Sequence, residues 1–247
     1  MTLQFQSQRF AGDAVLEDIL NDADTGTKKL QSGSPAGSVT SVQTAMWDLF
    51  HWFVPIPPVV NRSTFIDGVY GDSTEATVEN YKRHYDIHFP PDQPTGSYDG
   101  FTGPRTLRAL DQHCVLLDEA VDAIETKANA LAASGLNVQL FTDQSEGRET
   151  VPILGTPGAF RGVDIDGTIG EINFKRGLGA FEVHGAIFLE WARRGLAKGP
   201  LGFPISDEHD DGPGFRRSDF EHGSLRCDLG TGDVTVIGDP PDPEALF

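Results

Sequence analysis

Cysteine is scarce: Cys114 and Cys227 are the only two in 247 residues. That rules out a disulfide framework and a four-ligand zinc set. A run of roughly 20 apolar residues is missing throughout, so no membrane-spanning helix is expected. Bases are few, with 19 Lys plus Arg against 37 Asp plus Glu, a formal charge of -18. Such a field repels nucleic acid and anionic lipid heads and disfavours partners of either kind. The imbalance is spread along the chain, with 14 acids and 8 bases in residues 1–113 and 23 acids and 11 bases in 114–247. No acidic tail is present. The first residues, MTLQFQSQRFAGDAVLEDILNDADTG, lack the basic start and apolar centre of a secretory signal.

Catalytic signatures are missing as well. The chain holds no G-x-S-x-G, no H-E-x-x-H and no glycine-rich phosphate loop. Its Ser, His and Asp residues form no recognisable nucleophile arrangement. His84 and His88 stand four apart with Asp92 beyond, which would place two ligands on one helix face. Spacing recommends no third ligand, and Pro90-Pro91 ends the helix, so an exposed polar face is the expectation. The stretch Asp164–Glu171 looks like part of a calcium loop but fails on register. With Asp166-Gly167 in the fifth and sixth places, Gly162 falls first and Asn173 last, where Asp and Glu belong. His209–Asp211 reads as a solvated loop. No catalytic residue, metal or cofactor is expected.

Apolar residues make up 38% of the chain and aromatics 9%, enough for a packed core. Two internal repeats organise it. DGVYGDST at Asp67–Thr74 returns as DGFTGPRT at Asp99–Thr106, a shift of 32. LGTP at Leu154–Pro157 returns as LGFP at Leu201–Pro204, a shift of 47, and FKRG at Phe174–Gly177 as FEHG at Phe220–Gly223, a shift of 46. The repeats divide the chain into an amphipathic segment 1–32, a first repeat region 33–113, a helical connector 114–150, a second repeat region 151–238 and a Pro-rich tail 239–247. Within the second region, 151–182 reads as a degenerate copy and 183–238 as a full one.

In the N-terminal segment Val15, Leu16, Ile19 and Leu20 share one helix face. Val39, Val42, Met46, Leu49 and Phe50 space a second helix, with Ser38 or Ser41 near its start. Each Asp-Gly is a turn followed by a helix start, since Gly68 and Gly100 tolerate positive φ and the Asp bonds its own backbone. Asp72 or Ser73 is expected to cap the helix Thr74–Tyr85, with Glu75 completing a capping box. Pro104 suits the first turn of the next helix. The unit therefore reads as three helices joined by two DG turns. It resembles the three-helix peptidoglycan-binding domain, matching at Gly37, Val39, Val42, Gln43, Asp67, Gly68, Gly71, Thr74, Val78, Asp99, Gly100, Gly103, Thr106 and Leu110. Two features depart from the family: Tyr81-Lys82 replaces Phe-Gln, and the first interhelical loop, VPIPPVVNRSTFI, is long. The best candidates for ligand contact lie on the DG-turn rim: Asp67, Tyr70, Tyr98 and Asp99.

Residues 183–238 resemble the LGFP repeat of actinobacterial cell-wall proteins. The matches are Val183, Gly185, Ala186, Ile187, Trp191, Gly199, Pro200, Leu201, Gly202, Pro204, Ser206, Asp207, Glu208, Phe220, Gly223, Gly232 and Val234. Physically, Ile187 and Trp191 share a helix face, and Phe220–Leu225 and Val234–Ile237 alternate like half-buried strands. Trp191 is expected in the core rather than stacked on sugar. The motif residues Trp191, Leu201, Gly202, Phe203, Pro204, Asp207 and Glu208 are read as structural.

Between the repeats, Leu107, Leu110, Cys114, Leu117, Val121, Ile124, Ala128 and Leu131 step by threes and fours, and Gly135 marks a helix stop. This seam would form a coiled coil or pack inside the chain, and Cys and Ala at its a positions favour packing inside. Taken together, the expected fold class is α+β: a small all-α domain, a long helix and a small mixed LGFP-repeat domain. The resemblances imply a non-catalytic protein binding peptidoglycan or another envelope glycan, a carbohydrate-binding module without nucleic-acid or membrane partners. The alternatives are a scaffold or cargo component of a phage-tail-like contractile injection particle, and an accessory subunit of a wall hydrolase. Partners would then include particle proteins or a second copy through Leu107–Leu131. Synthesis in the cytoplasm is expected, with action at the envelope or within a secreted particle.

Overall fold

The computed structural model describes residues 2–23, 25–50, 61–88, 98–142, 150–153 and 155–238. The tail 239–247, Leu154, Asp92, Pro90-Pro91 and most of the VPIPPVVNRSTFI loop lie outside them. The described residues form a mixed α+β protein of six α-helices and two antiparallel sheets. No described helix is long and apolar enough to cross a membrane. The chain divides into two compact units, Met1–Leu117 and, for its main part, Asp118–Asp143 with Glu149–Phe247. One long helix supplies its first half to one unit and its second half to the other.

The first unit is helical. Helix α1 (Ala14–Leu20) is capped by Asp13, whose carboxylate accepts the N–H groups of Val15 and Leu16. Leu16, Ile19 and Leu20 are buried, but Val15 is exposed and drops out of the expected apolar face. Helix α2 (Ala36–Phe50) begins before either serine read as its start, and Ser38 Oγ instead donates to Asp13 Oδ1 at 2.9 Å. A one-turn helix α3 (Arg62–Phe65) follows, capped by Asn61. Helix α4 (Asp72–Tyr85) has Gly71 at its N-cap with no side-chain cap, so the expected capping box does not form. Asp72 and Glu75 still favour that end by placing negative charge in the first turn. The helix closes at Asp86, which takes a left-handed conformation (φ 56°).

Helix α5 (Pro104–Ala133) has Pro104 in its first position and runs 30 residues, about 45 Å. It stops where Gly135 turns left-handed at φ 103°. Its seam is covered within the chain: Leu107, Leu110 and Cys114 are buried in the first unit, Ile124 and Ala128 in the second. The N-terminal segment belongs to the first unit's fabric. Leu30 and Thr102 exchange two backbone hydrogen bonds, and Asp111 of α5 accepts the N–H groups of Gln6 and Ser7.

In the second unit, one sheet is built on the hairpin β3 (Gly158–Ile165) and β4 (Thr168–Lys175). β5 (Gly179–His184) lies beside β4, and β1 (Val138–Leu140) and β2 (Val151–Ile153) both pair with β3. The calcium-like stretch is the tip of this hairpin. Asp166 (φ 52°) and Gly167 (φ 83°) form a two-residue turn of the twist that matches antiparallel strands. Helix α6 (Gly185–Arg193) then leads to the second sheet, β6 (His209–Asp210), β7 (Phe215–Phe220), β8 (Gly223–Asp228) and β9 (Val234–Ile237), in that order. His209-Asp210 is thus a strand paired with Arg216 and Arg217, where a loop was expected. Val183, Ile187, Trp191, Leu201, Phe203, Phe220 and Leu225 make the core that joins α6 to both sheets.

Candidate functional site

In the first unit the first DG turn is held by a hydrogen-bond network centred on the buried Gln43. Its Nε2 donates to Asp67 Oδ1 (2.9 Å), the Val69 carbonyl (3.1 Å) and Thr74 Oγ1 (2.9 Å), while its Oε1 accepts Gly68 N–H (2.9 Å). The Gln43 bond, helped by Val69 N–H, holds the Asp67 carboxyl below its usual value. Gly68 is left-handed (φ 75°), and a Cβ there would press on Ala36. Tyr70 links the first turn to the second: its hydroxyl donates to the Gly100 carbonyl (2.8 Å) and lies 2.8 Å from Thr102 Oγ1. Gly100 packs so closely on Glu75 that a Cβ would sit 2.9 Å from that residue's own.

The structure sorts the four rim candidates differently from the sequence. Tyr70 is 2% exposed and is a core residue, not a rim contact, and burial drives its phenol far above its usual range. Asp67 is committed to Gln43 and to Val69 N–H. Asp99 pairs with the buried ammonium of Lys82 and accepts Phe101 N–H. Tyr98 remains at the surface, with its hydroxyl on Asp86 (2.9 Å) and its ring against His88. Three of the four therefore hold the turns together. The His84–His88 pair does not share a helix face, because α4 ends at Tyr85 and His88 lies beyond the left-handed Asp86. No group of three or more His, Cys, Asp or Glu suited to a metal ion occurs among the described residues.

Beside the second DG turn lies a cleft of about 40 Å³. Lys28, Lys29, Lys82, Arg105, His88 and Phe101 line it, and Asp99 is the one carboxylate among the described lining residues. Lys29 Nζ stands 3.8 Å over the centre of the Phe101 ring. Of these residues the sequence pointed to Asp99 as a ligand contact and weighed His88 only with His84; positions 28, 29, 82 and 105 share no motif that would group them. The signal available was how few bases the chain has.

In the second unit the LGFP residues are structural. Trp191 is fully buried, donates from Nε1 to the Gly202 carbonyl (3.2 Å) and packs 5.4 Å from the Phe220 ring. Leu201 and Phe203 take backbone bonds from His222 and Glu221 of the FEHG turn. The LGTP segment meets its own FKRG turn at a different position, through Arg176 N–H to the Pro157 carbonyl. Lys175 and Glu221, equivalent positions 46 residues apart, form an ion pair at 2.5 Å. Asp207 accepts Glu182 N–H and the Lys127 ammonium (2.8 Å), and Glu182, 2% exposed, accepts Glu208 N–H. His184 Nδ1 lies 2.6 Å from Glu182 Oε2, and Glu208 holds Arg216. Burial alone would lower the His184 imidazole, but Glu182 and Glu208 outweigh it and raise its pKa. This cluster staples the second sheet to β5. No protein-family model matches the chain, and no curated protein matches it.

Proposed function

We propose that this is a non-catalytic bacterial cell-wall protein, binding peptidoglycan or a related envelope polymer through its first unit. One observation carries the reading. The positions shared with the peptidoglycan-binding pattern, Gln43, Asp67, Gly68 and Thr74, meet in one bonded assembly although they span 32 residues, and Gly100 of the second turn is tied to the first through the Tyr70 hydroxyl. A chance motif has no reason to do that, whereas a three-helix domain built around two DG turns requires it. Within this reading the second unit is an LGFP-repeat domain, supported by the backbone bonds that seat LGFP on FEHG and by the Lys175–Glu221 ion pair between the two copies. Recognition is by shallow surfaces beside the DG turns, without covalent chemistry.

The second reading, scaffold or cargo of a particle, draws on the fact that most motif residues are spent on internal bonds. Co-sedimentation of the full chain with intact peptidoglycan sacculi separates the two. Saturable binding is expected for the wall protein; protein left in the supernatant at every salt concentration rejects it. The full chain is needed because a cut at residue 135 would take Asp118–Ala133 away from the second unit.

A further inference from the structure

We propose that His184 is the pin of a pH-operated joint: protonated, it locks the second sheet onto β5, and the contact opens as the proton leaves. The charged groups facing the imidazole come from three places. Glu182 lies on its own strand, with Oε2 2.6 Å from Nδ1. Glu208, in the segment leading into β6, brings Oε2 to 3.7 Å. Arg216 of β7 stands across Glu208, whose Oε1 accepts its Nε–H at 3.0 Å. β4 and α6 add no charge: Gly170 is the β4 residue paired with His184, and the first turn of α6, Gly185–Phe188, is uncharged. The Cys227 thiol of β8 is pushed up by burial, with Glu208 adding to it, and stays neutral over the range in which an imidazole titrates.

Geometry makes this proton matter. The carboxylate of Glu182 that holds the imidazole also accepts Glu208 N–H through Oε1 at 2.9 Å, so one buried group ties β5 to the segment before β6. Glu182 and Glu208 against His184 and Arg216 sum to zero with the proton in place and to -1 without it. That charge falls on carboxylates whose side chains are 3% and 11% exposed, where water screens little. His184 is also the N-cap of α6 and makes no side-chain cap bond there, so the positive end of the helix disfavours the imidazolium. Burial acts the same way, yet Glu182 and Glu208 outweigh it and raise the imidazole. A raised imidazole stabilises the closed joint fully below its ordinary value of about 6.5, and the contribution is lost as pH rises through the raised one.

The test is NMR on the full-length protein. Followed from about pH 5 to about pH 9, the Cε1–H shifts of its seven histidines should place the His184 midpoint above about 6.5, and Glu208→Gln should lower it. Hydrogen exchange, corrected for base catalysis, reads the joint itself through the Glu208 and Glu182 amides, which donate to Glu182 Oε1 and Asp207 Oδ1. Their protection should fall about tenfold for each unit by which closing the joint raises the imidazole, and over the same pH interval as the titration. Amides in the β3–β4 ladder should lose less, because the joint opens locally. A His184 midpoint at or below 6.5 overturns the proposal. So does protection of both amides that is independent of pH, or that falls in step with β3–β4 as the whole unit unfolds. His184→Gln should flatten the pH dependence of the two amides. The titration and exchange of the unaltered protein decide the matter even if that variant misfolds.

Discussion

Gln43 shows how one side chain sets a local fold. It is 1% exposed and makes four hydrogen bonds, and truncating it takes a partner from the buried Thr74 hydroxyl and Gly68 N–H and from the Asp67 carboxylate. Gln43→Ala is expected to cost about 3 kcal/mol, read as a lowered midpoint in urea, and to let the Asp67 carboxyl rise toward its ordinary value. Glu171 offers a second test. Burial pushes its carboxyl up to about 7, against the opposing bond from Asn173 Nδ2 at 3.3 Å. A carboxyl that binds its proton more tightly when folded favours folding only while protonated. Its contribution is present below about pH 4.5, is lost as pH rises through 7, and is then absent. The raised imidazole of His184 acts in the same direction at higher pH. Glu171→Gln should therefore stabilise the second unit at pH 8, by up to about 3 kcal/mol, and leave it nearly unchanged at pH 4.5. Urea titrations at both pH values check this, and equal pH slopes for the two proteins would contradict it.

At the scale of elements, the glycines of the first sheet separate two kinds of crowding. A Cβ at Gly162 would sit 2.6 Å from the Phe141 ring, whereas one at Gly170 would meet the Val183 carbonyl at 2.3 Å. Gly162→Ala should destabilise by about 1 kcal/mol and recover when combined with Phe141→Leu, because a side chain can yield. Gly170→Ala should have no such rescue, since backbone cannot. Thermal unfolding of the single and double variants tests both. Helices α1, α2, α4 and α5 were legible from apolar spacing, and Pro104 and Gly135 mark the ends of α5 as read. Their caps were less so: a serine, aspartate or glycine near a helix start competes for one place, and Gly71 took the one assigned to Asp72 or Ser73. The β3–β4 hairpin was missed although Asp166-Gly167 is a strong turn signal, because flanking acids gave the stretch the look of a cation loop. The rim candidates failed for another reason. Lys82 and Tyr70 reach their partners in the second DG turn 17 and 30 residues on, and no local pattern records such distances.

For the whole molecule, the net charge of -18 opposes approach to an anionic wall, and the specific contacts of the proposed wall binding must overcome it. The general field repels over distances that salt shortens, to a Debye length of about 10 Å at 0.1 M. Hydrogen bonds within a binding surface act over a few ångströms and are screened less. Raising salt from 20 to 150 mM should therefore preserve or increase the fraction of protein carried down by sacculi. Non-specific adhesion through surface lysines would fall steeply over the same range, because each such contact exchanges with salt ions. The seam of α5 adds an internal control. Ile124 is fully buried within the second unit, so Ile124→Ala should lower the unfolding temperature while leaving the mass in solution and the salt profile unchanged. A change in mass would place the seam at an interface between copies. Wall binding would then have to be reckoned per assembly, with several copies engaged at once and the apparent affinity raised by their linkage.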